Sequence, residues 1–285
     1  MVTGATGAIG QRTIIHLLKK GLPAEGIFGL ARGGRTVPEL EGTGVEMRSG
    51  DYADFDSLLH AFKGIDRLML TSAVAFSDRF TQHYNVISAA RQAGVKHVVY
   101  MSVMRKANSG LVMPEVTESD IFTEQLLRAS GLDYTIVFHP PFLDVLPLYY
   151  GTDYAQNGIH IPSVDGKMSP ALRDELAEAH AEILYSDGHR MKTYALGGSE
   201  SISFSDIARM LSEQAGMPVP FSKITPEEYI VKQAEKGMPA QLAEFLTGWF
   251  HAIDQGIFED HSGDLERLLG RKSTTFSAYI NTADE

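Results

Sequence analysis

The chain predicts an α/β fold: a doubly wound parallel sheet carrying a smaller, mostly helical C-terminal domain. Three observations lead there. Gly4, Gly7 and Gly10 form a G-x-x-G-x-x-G turn between an apolar scrap, Met1-Val2-Thr3, and an amphipathic segment with Ile14, Ile15, Leu17 and Leu18. Over the first 140 residues, apolar runs and helical periodicity alternate six times with short connections, the pattern of a sheet built from parallel strands and crossover helices. Beyond Pro140-Pro141 that rhythm stops.

In order, the first strand has only three residues ahead of Gly4, where a buried strand usually has about 5. Either it is short or the chain begins upstream of Met1. The first helix is expected over Ala8 to Lys20, with Gly21 and Pro23 closing it. Ile27 to Ala31 is a continuous apolar run, as expected of a strand buried on both faces. Val45 to Arg48 reads as the third strand. Asp54 caps a short helix carrying Leu58, Leu59 and Phe62 and closed by Gly64. Arg67 to Thr71 is the fourth strand. A helix through Phe80, Tyr84 and Ile87 stops at Gly94, and His97 to Met101 is the fifth strand. Thr117-x-x-Asp120 has the spacing of a capping box for a helix with Ile121, Leu126 and Leu127. Tyr134 to Phe138 is the sixth strand. The arrangement is Rossmann-type, with ligands at one edge of the sheet.

Residues 142–165 are aromatic and loop-like. A helix from Ser169 to Leu184 and a short strand at Tyr194 follow. Ser203-x-x-Asp206 opens another capped helix, and Thr225-Pro226-Glu227-Glu228 a third, with proline at its first position. The domains expected are therefore 1–141 for nucleotide binding, with 166–197 returning to it, and 142–165 plus 198–285 as a substrate-side cap.

The formal net charge is −11, which disfavours nucleic acid as a partner. The chain has no cysteine, so disulfides, thiolate nucleophiles and thiolate metal sites are excluded. This fits a reducing cytoplasm. No apolar run approaches a membrane span, and no metal-ligand spacing such as H-E-x-x-H occurs among the ten histidines.

The glycine turn suits a dinucleotide pyrophosphate. Glycines let the backbone approach phosphate, and the free N–H groups of the helix start favour negative charge. Gly4, Thr6, Gly7, Ala8, Ile9 and Gly10 are the candidates. Arg32 stands 22 residues past Gly10, at the end of the second strand and with no acid in that strand. Arginine there meets a ribose 2′-phosphate, whereas an acid would take the ribose hydroxyls. NADP(H) is therefore expected over NAD(H), with Arg35 in support. Asp51 and Tyr52, after the third strand, are candidates for the adenine. Thr71, Ser72 and Ala73 follow the fourth strand, and Ser102 and Val103 the fifth, where nicotinamide would lie.

Together, Thr3-Gly4-Ala-Thr-Gly7-Ala-Ile-Gly10, Ala31-Arg32, Gly50-Asp51-Tyr52, Ala93-Gly94-Val95-Lys96-His97 and Arg173-Asp174-Glu-Leu-Ala177 resemble the NmrA-like branch of the atypical short-chain dehydrogenase/reductases. Within it the chain is most similar to the NADPH-dependent triphenylmethane-dye reductase and quinone oxidoreductase subgroup. The match extends over Lys192-Thr-Tyr194 and the Phe204-to-Gly216 helix.

One family feature is missing. Typical short-chain dehydrogenases use a tyrosine acid and a lysine four residues later. None of the eleven tyrosines here has lysine at that place. By analogy the pair would fall at Val116 and Asp120, which supply neither the proton nor the positive charge. Hydride transfer to a quinone or a cationic dye needs mainly positioning, so the resemblance implies a reductase of quinones or other conjugated aromatic acceptors. The substrate side would be bounded by His139, Phe142, Tyr149 and Tyr150, with His139 as the candidate acid at neutral pH. Two further readings stay open: a non-catalytic NADP(H)-sensing regulator acting through a protein partner, and a nucleotide-sugar epimerase or dehydratase. A homodimer is also compatible with the sequence.

Overall fold

The protein is described by a computed structural model covering residues 1–106 and 109–282. The chain runs β1 (Val2–Thr3), α1 (Ala8–Lys19), β2 (Phe28–Ala31), β3 (Glu46–Ser49), α2 (Phe55–Ala61), β4 (Arg67–Leu70), α3 (Arg79–Ala93), β5 (His97–Val103), α4 (Thr117–Ala129) and β6 (Asp133–His139). It continues through α5 (Leu146–Tyr150), α6 (Tyr154–Asn157), β7 (Ile159–Ile161), α7 (Arg173–Tyr185) and β8 (Lys192–Ala195). The remainder is α8 (Phe204–Ala215), β9 (Phe221–Lys223), α9 (Pro226–Glu235), α10 (Ala240–Asp254), α11 (Asp264–Leu269) and α12 (Phe276–Thr282).

The main sheet has the order β3-β2-β1-β4-β5-β6-β8 and is parallel throughout. Its direction of growth reverses between β1 and β4, which opens a crevice beyond the strand ends there. The central strands are apolar on both faces, so successive residues feed opposite cores. Met69 and Val99 join Ile14 and Leu17 of α1 and Leu176 and Ala177 of α7. Leu68, Leu70 and Val98 join Leu58, Phe62 and Val86 beneath α2 and α3. β8 enters the sheet beside β6, and α7 packs on α1. α11 also lies against α7, with Leu265 in the same core, so a piece of the 198–285 segment sits on the main sheet.

The third core belongs to the C-terminal half. β7 pairs in parallel with β9, and Tyr149, Phe204, Tyr229 and Phe250 meet edge to face with centroids 5.1–6.4 Å apart. The caps at Asp54, Ser203 and Thr225 accept the predicted backbone bonds. Residues 142–165, expected to be loop-like, form α5, α6 and β7. The helix expected from Ser169 starts only at Arg173, because Met168 and Ala171 bridge to Ile202 and Phe142.

The capping box expected at Thr117 and Asp120 does not form. The residue before α4 is Val116 and no side chain caps the helix. Thr117 Oγ1 instead accepts from the Met113 N–H at 2.8 Å. Asp120 is drawn inward by partners outside the helix, described below.

Candidate cofactor site

The crevice at the sheet reversal is a cleft of ≈ 280 Å³ lined by Gly4, Thr6, Leu30, Ala31, Arg32, Gly50, Asp51, Tyr52, Thr71, Ser72, Ala73, Val74, Ser77 and Gln82. Eight sequence candidates meet there: Gly4, Thr6, Arg32, Asp51, Tyr52, Thr71, Ser72 and Ala73. They come from the ends of β1, β2, β3 and β4, which the parallel register brings to one edge.

The glycine turn is shaped by one left-handed residue and one close approach. Gly4 has φ of 60°, the left-handed region that side chains disfavour. At Gly10 a Cβ would stand 2.3 Å from the Gly4 carbonyl oxygen and 3.0 Å from Ala5 Cα, so the first turn of α1 lies directly on the end of β1. Gly7 precedes α1 and brings no side-chain cap to the helix N–H groups. Those donors need a partner, and an anion is the natural one. Thr6 and Gly7 are exposed, Ala8 is half-buried, and Ile9 and Gly10 are buried. Backbone rather than side chains is therefore presented for a pyrophosphate.

Across the cleft, a closed ring of hydrogen bonds fastens three strand ends. The Thr71 N–H donates to Thr3 Oγ1 at 3.0 Å, the Thr3 hydroxyl meets Tyr52 Oη, and Tyr52 donates to the Thr71 carbonyl at 2.9 Å. Burial pushes the Tyr52 hydroxyl pKa upward, opposed by the Thr3 bond. Tyr52 is thus anchored by its hydroxyl as a wall of the cleft. Asp51 accepts the Ala53 N–H at 2.9 Å through Oδ1.

Arg32 is exposed and opens a short turn through Gly33 and Gly34, both with positive φ. Arg35 folds back, its Nε donating to the Arg32 carbonyl at 3.3 Å. Among the described residues no side chain pairs with the Arg32 guanidinium, which leaves its fork for a phosphate. The orphan helix donors and this free fork fit a dinucleotide carrying a 2′-phosphate.

Beyond Ala73 the candidates separate. Ser72 donates to the Met101 carbonyl at 2.5 Å. Ser102 is buried and donates to Glu124 at 2.8 Å, and Val103 N–H donates to Asp120 Oδ2 at 3.1 Å. Neither Ser102 nor Val103 joins the cleft lining. Asp120, at the place expected for the dyad lysine, is paired with Arg79. Sequence reading missed Arg79, His83, Ser77 and Gln82, which lie on or beside α3 and carry no motif.

The structure places the substrate-side candidates His139, Phe142, Tyr149 and Tyr150 outside the cleft lining. His139 is 3% exposed, and its Nε2 meets Nε2 of His180 at 2.7 Å. Among the described residues neither Nδ1 atom has a partner. Burial, reinforced by His180, holds the His139 pKa well below the usual histidine range. Tyr149 and Tyr150 are 7% and 6% exposed and belong to the C-terminal core. Phe142 packs against the α1–α7 core. The turn after β6 sends these side chains into cores because α7 and α8 cover it.

The buried histidines predict acid sensitivity. Burial, then the Arg79 cation, lowers His83 to about 3, and burial lowers His180 to about 3. Each is neutral in the fold, while the unfolded chain binds a proton below its ordinary pKa of about 6.5. Stability is therefore complete above that pH and falls as pH drops toward 3, by about 1.4 kcal/mol per unit for each histidine. Urea midpoints measured from pH 8 down to 5 should decline steadily below 6.5; a level profile would contradict this.

The quinone oxidoreductase 2 of Escherichia coli (strain K12) is 30% identical over 98% of this chain and 96% of its own length. The crystal structure of the NADPH-dependent quinone oxidoreductase of Escherichia coli complexed with NADPH superposes with a TM-score of 0.91 at 28% identity, over 100% of this chain and 99% of that one. The Citrobacter sp. triphenylmethane reductase complexed with NADP(H) gives 0.90 at 32% identity, over 99% of both chains. The model of the NmrA-like family matches residues 1–280. The parallel sheet, the glycine turn and this full-length match together place the chain in the NmrA-like family.

Proposed function

We propose that this protein is an NADPH-dependent reductase that passes hydride to a quinone or another conjugated aromatic acceptor. The observation that carries this reading is a cleft that ends in Arg32, whose guanidinium has no side-chain partner among the described residues, together with Asp120, which stands where the dyad lysine is expected, in a buried ion pair. The relatives named above, quinone and dye reductases, support it.

Bound NADPH supplies the hydride from C4 of its nicotinamide. Gly4, Thr6, Gly7, Ala8, Ile9 and Gly10 hold the pyrophosphate, and Arg32 the 2′-phosphate. Asp51 and Tyr52 flank the adenine. Thr71, Ser72 and Ala73 would carry the cofactor across the sheet reversal, and Ser102 and Val103 would hold its nicotinamide half. The described residues lining the cleft include no lysine and no histidine. A quinone accepting hydride takes its proton from solvent, and a carbocationic dye needs none, so positioning is the main demand.

The test is oxidation of NADPH by the purified protein, followed by absorbance with and without a panel of quinones and cationic dyes. Acceptor-dependent oxidation is expected. The absence of a Tyr-x-x-x-Lys pair also suits a regulator that reads NADP(H) through a protein partner. Unequal affinities for NADP⁺ and NADPH with no turnover on any acceptor would favour that second reading.

A further inference from the structure

A buried polar network lies behind the Ala73 end of the cleft. Arg79 and Asp120 are an ion pair with side chains 5% and 1% exposed. Arg79 spends its donors on three partners: Nη2 on Asp120, Nε on Ser119 at 2.8 Å, and Nη1 on the Ala73 carbonyl at 2.8 Å. Asp120 accepts Tyr100 Oη at 2.7 Å and the Val103 N–H at 3.1 Å. The Ala73 N–H donates to His83 Nε2 at 2.9 Å. His83 Nδ1 is satisfied by Thr123 at 2.8 Å, whose own hydroxyl goes to the Ser119 carbonyl. Both backbone groups of Ala73 are thus held by α3 side chains, and the pair that holds its carbonyl also holds Val103.

Burying such a pair is a weak source of stability. Desolvation offsets most of the attraction, and apolar residues of similar volume often serve as well. What the network does supply is fixed distance. Ala73 follows β4 and Val103 ends β5. In a doubly wound sheet the second mononucleotide half lies over these strand ends, across the reversal from the adenosine half over β2 and β3.

We propose that the Arg79–Asp120 pair is a positioning device for the nicotinamide half of the cofactor, setting the spacing between Ala73 and Val103. The inference rests on the cofactor reading above. It assigns no proton transfer to either residue.

The experiment compares two probes on the whole chain. NADPH engages both halves of the site, whereas 2′-phospho-ADP-ribose carries the adenosine, the 2′-phosphate and the pyrophosphate without nicotinamide. Asp120→Asn removes the charge and keeps the shape. The double variant Arg79→Met with Asp120→Leu removes the pair without stranding a buried charge. Tyr100→Phe removes one donor to Asp120 and keeps the pair. In the first two, affinity for NADPH is expected to fall about 10-fold, the equivalent of one charge-assisted hydrogen bond, while that for 2′-phospho-ADP-ribose stays within about 2-fold. Single-turnover hydride transfer falls further, by about 100-fold. Tyr100→Phe shows the same selectivity at smaller size and carries the test if the others do not fold. Equal loss of both probes, or recovery of NADPH affinity in the double variant, would overturn the proposal. If the wild-type protein binds NADPH but transfers hydride to no acceptor, the reductase reading fails while the two-probe contrast still decides the role of the pair.

Discussion

Arg32→Asp raises the Kd for NADPH by about 100-fold and leaves that for NADH nearly unchanged. The guanidinium is exposed at the end of β2 and has no side-chain partner among the described residues. Its loss therefore disturbs nothing else in the fold. In its place a carboxylate faces the dianionic 2′-phosphate, so a charge-assisted bond becomes a repulsion. NADH has hydroxyls at the same place, which an aspartate accepts readily. Because the site is open to solvent, the difference shrinks as salt is added. Isothermal titrations of both cofactors at two ionic strengths measure it. Equal weakening of NADPH and NADH would remove Arg32 from the phosphate site.

Gly10→Ala is the second large effect, and it acts through packing. The added methyl would lie 2.3 Å from the Gly4 carbonyl oxygen and 2.8 Å from its carbon. Both are backbone atoms, so no side chain can swing aside, and α1 must lift from β1. Overpacking of this kind costs about 3 kcal/mol, a fall of about 5 °C or more in Tm for a chain of this size. If the N–H groups of Ala8 and Ile9 hold the pyrophosphate as proposed, the lift withdraws them, and NADPH binding falls together with stability. Gly7→Ala is the control. Its Cβ would meet the Gly4 oxygen only at 3.2 Å, and a smaller loss is expected. Unchanged melting and binding in Gly10→Ala would contradict the close approach.

The elements most legible in the chain are those whose signals are local. Buried parallel strands are continuous apolar runs, and caps and terminal glycines act within one helical turn. Asp54, Ser203 and Thr225 cap as their spacing predicts, and α3 stops at Gly94 in the left-handed region. β5 runs on to Val103 instead of stopping at Met101, because its register with β6 continues to the Val103–His139 pair.

Asp120 shows where local reading runs out. Its spacing from Thr117 satisfies a capping rule, yet Arg79, in another helix, offers a full charge in a buried site, and the carboxylate goes there. His139, Tyr149 and Tyr150 follow the same logic. In the sequence they cluster after a strand end, where ligands bind. In the fold, α7 supplies His180 against His139, and α8 and α10 supply Phe204 and Phe250 against Tyr149. The apolar area available in those cores outweighs exposure to a cleft.

By itself, then, the sequence determined the strand–helix alternation, the glycine turn and the arginine at the end of β2, since each depends on neighbours a few residues away. The tertiary structure alone decided which polar groups are spoken for. Arg79 reaches Asp120, His139 reaches His180, and Tyr52 closes its ring with Thr3 and Thr71. A buried polar group takes whichever partner the packed layers bring within hydrogen-bonding distance, and that partner can lie anywhere along the chain.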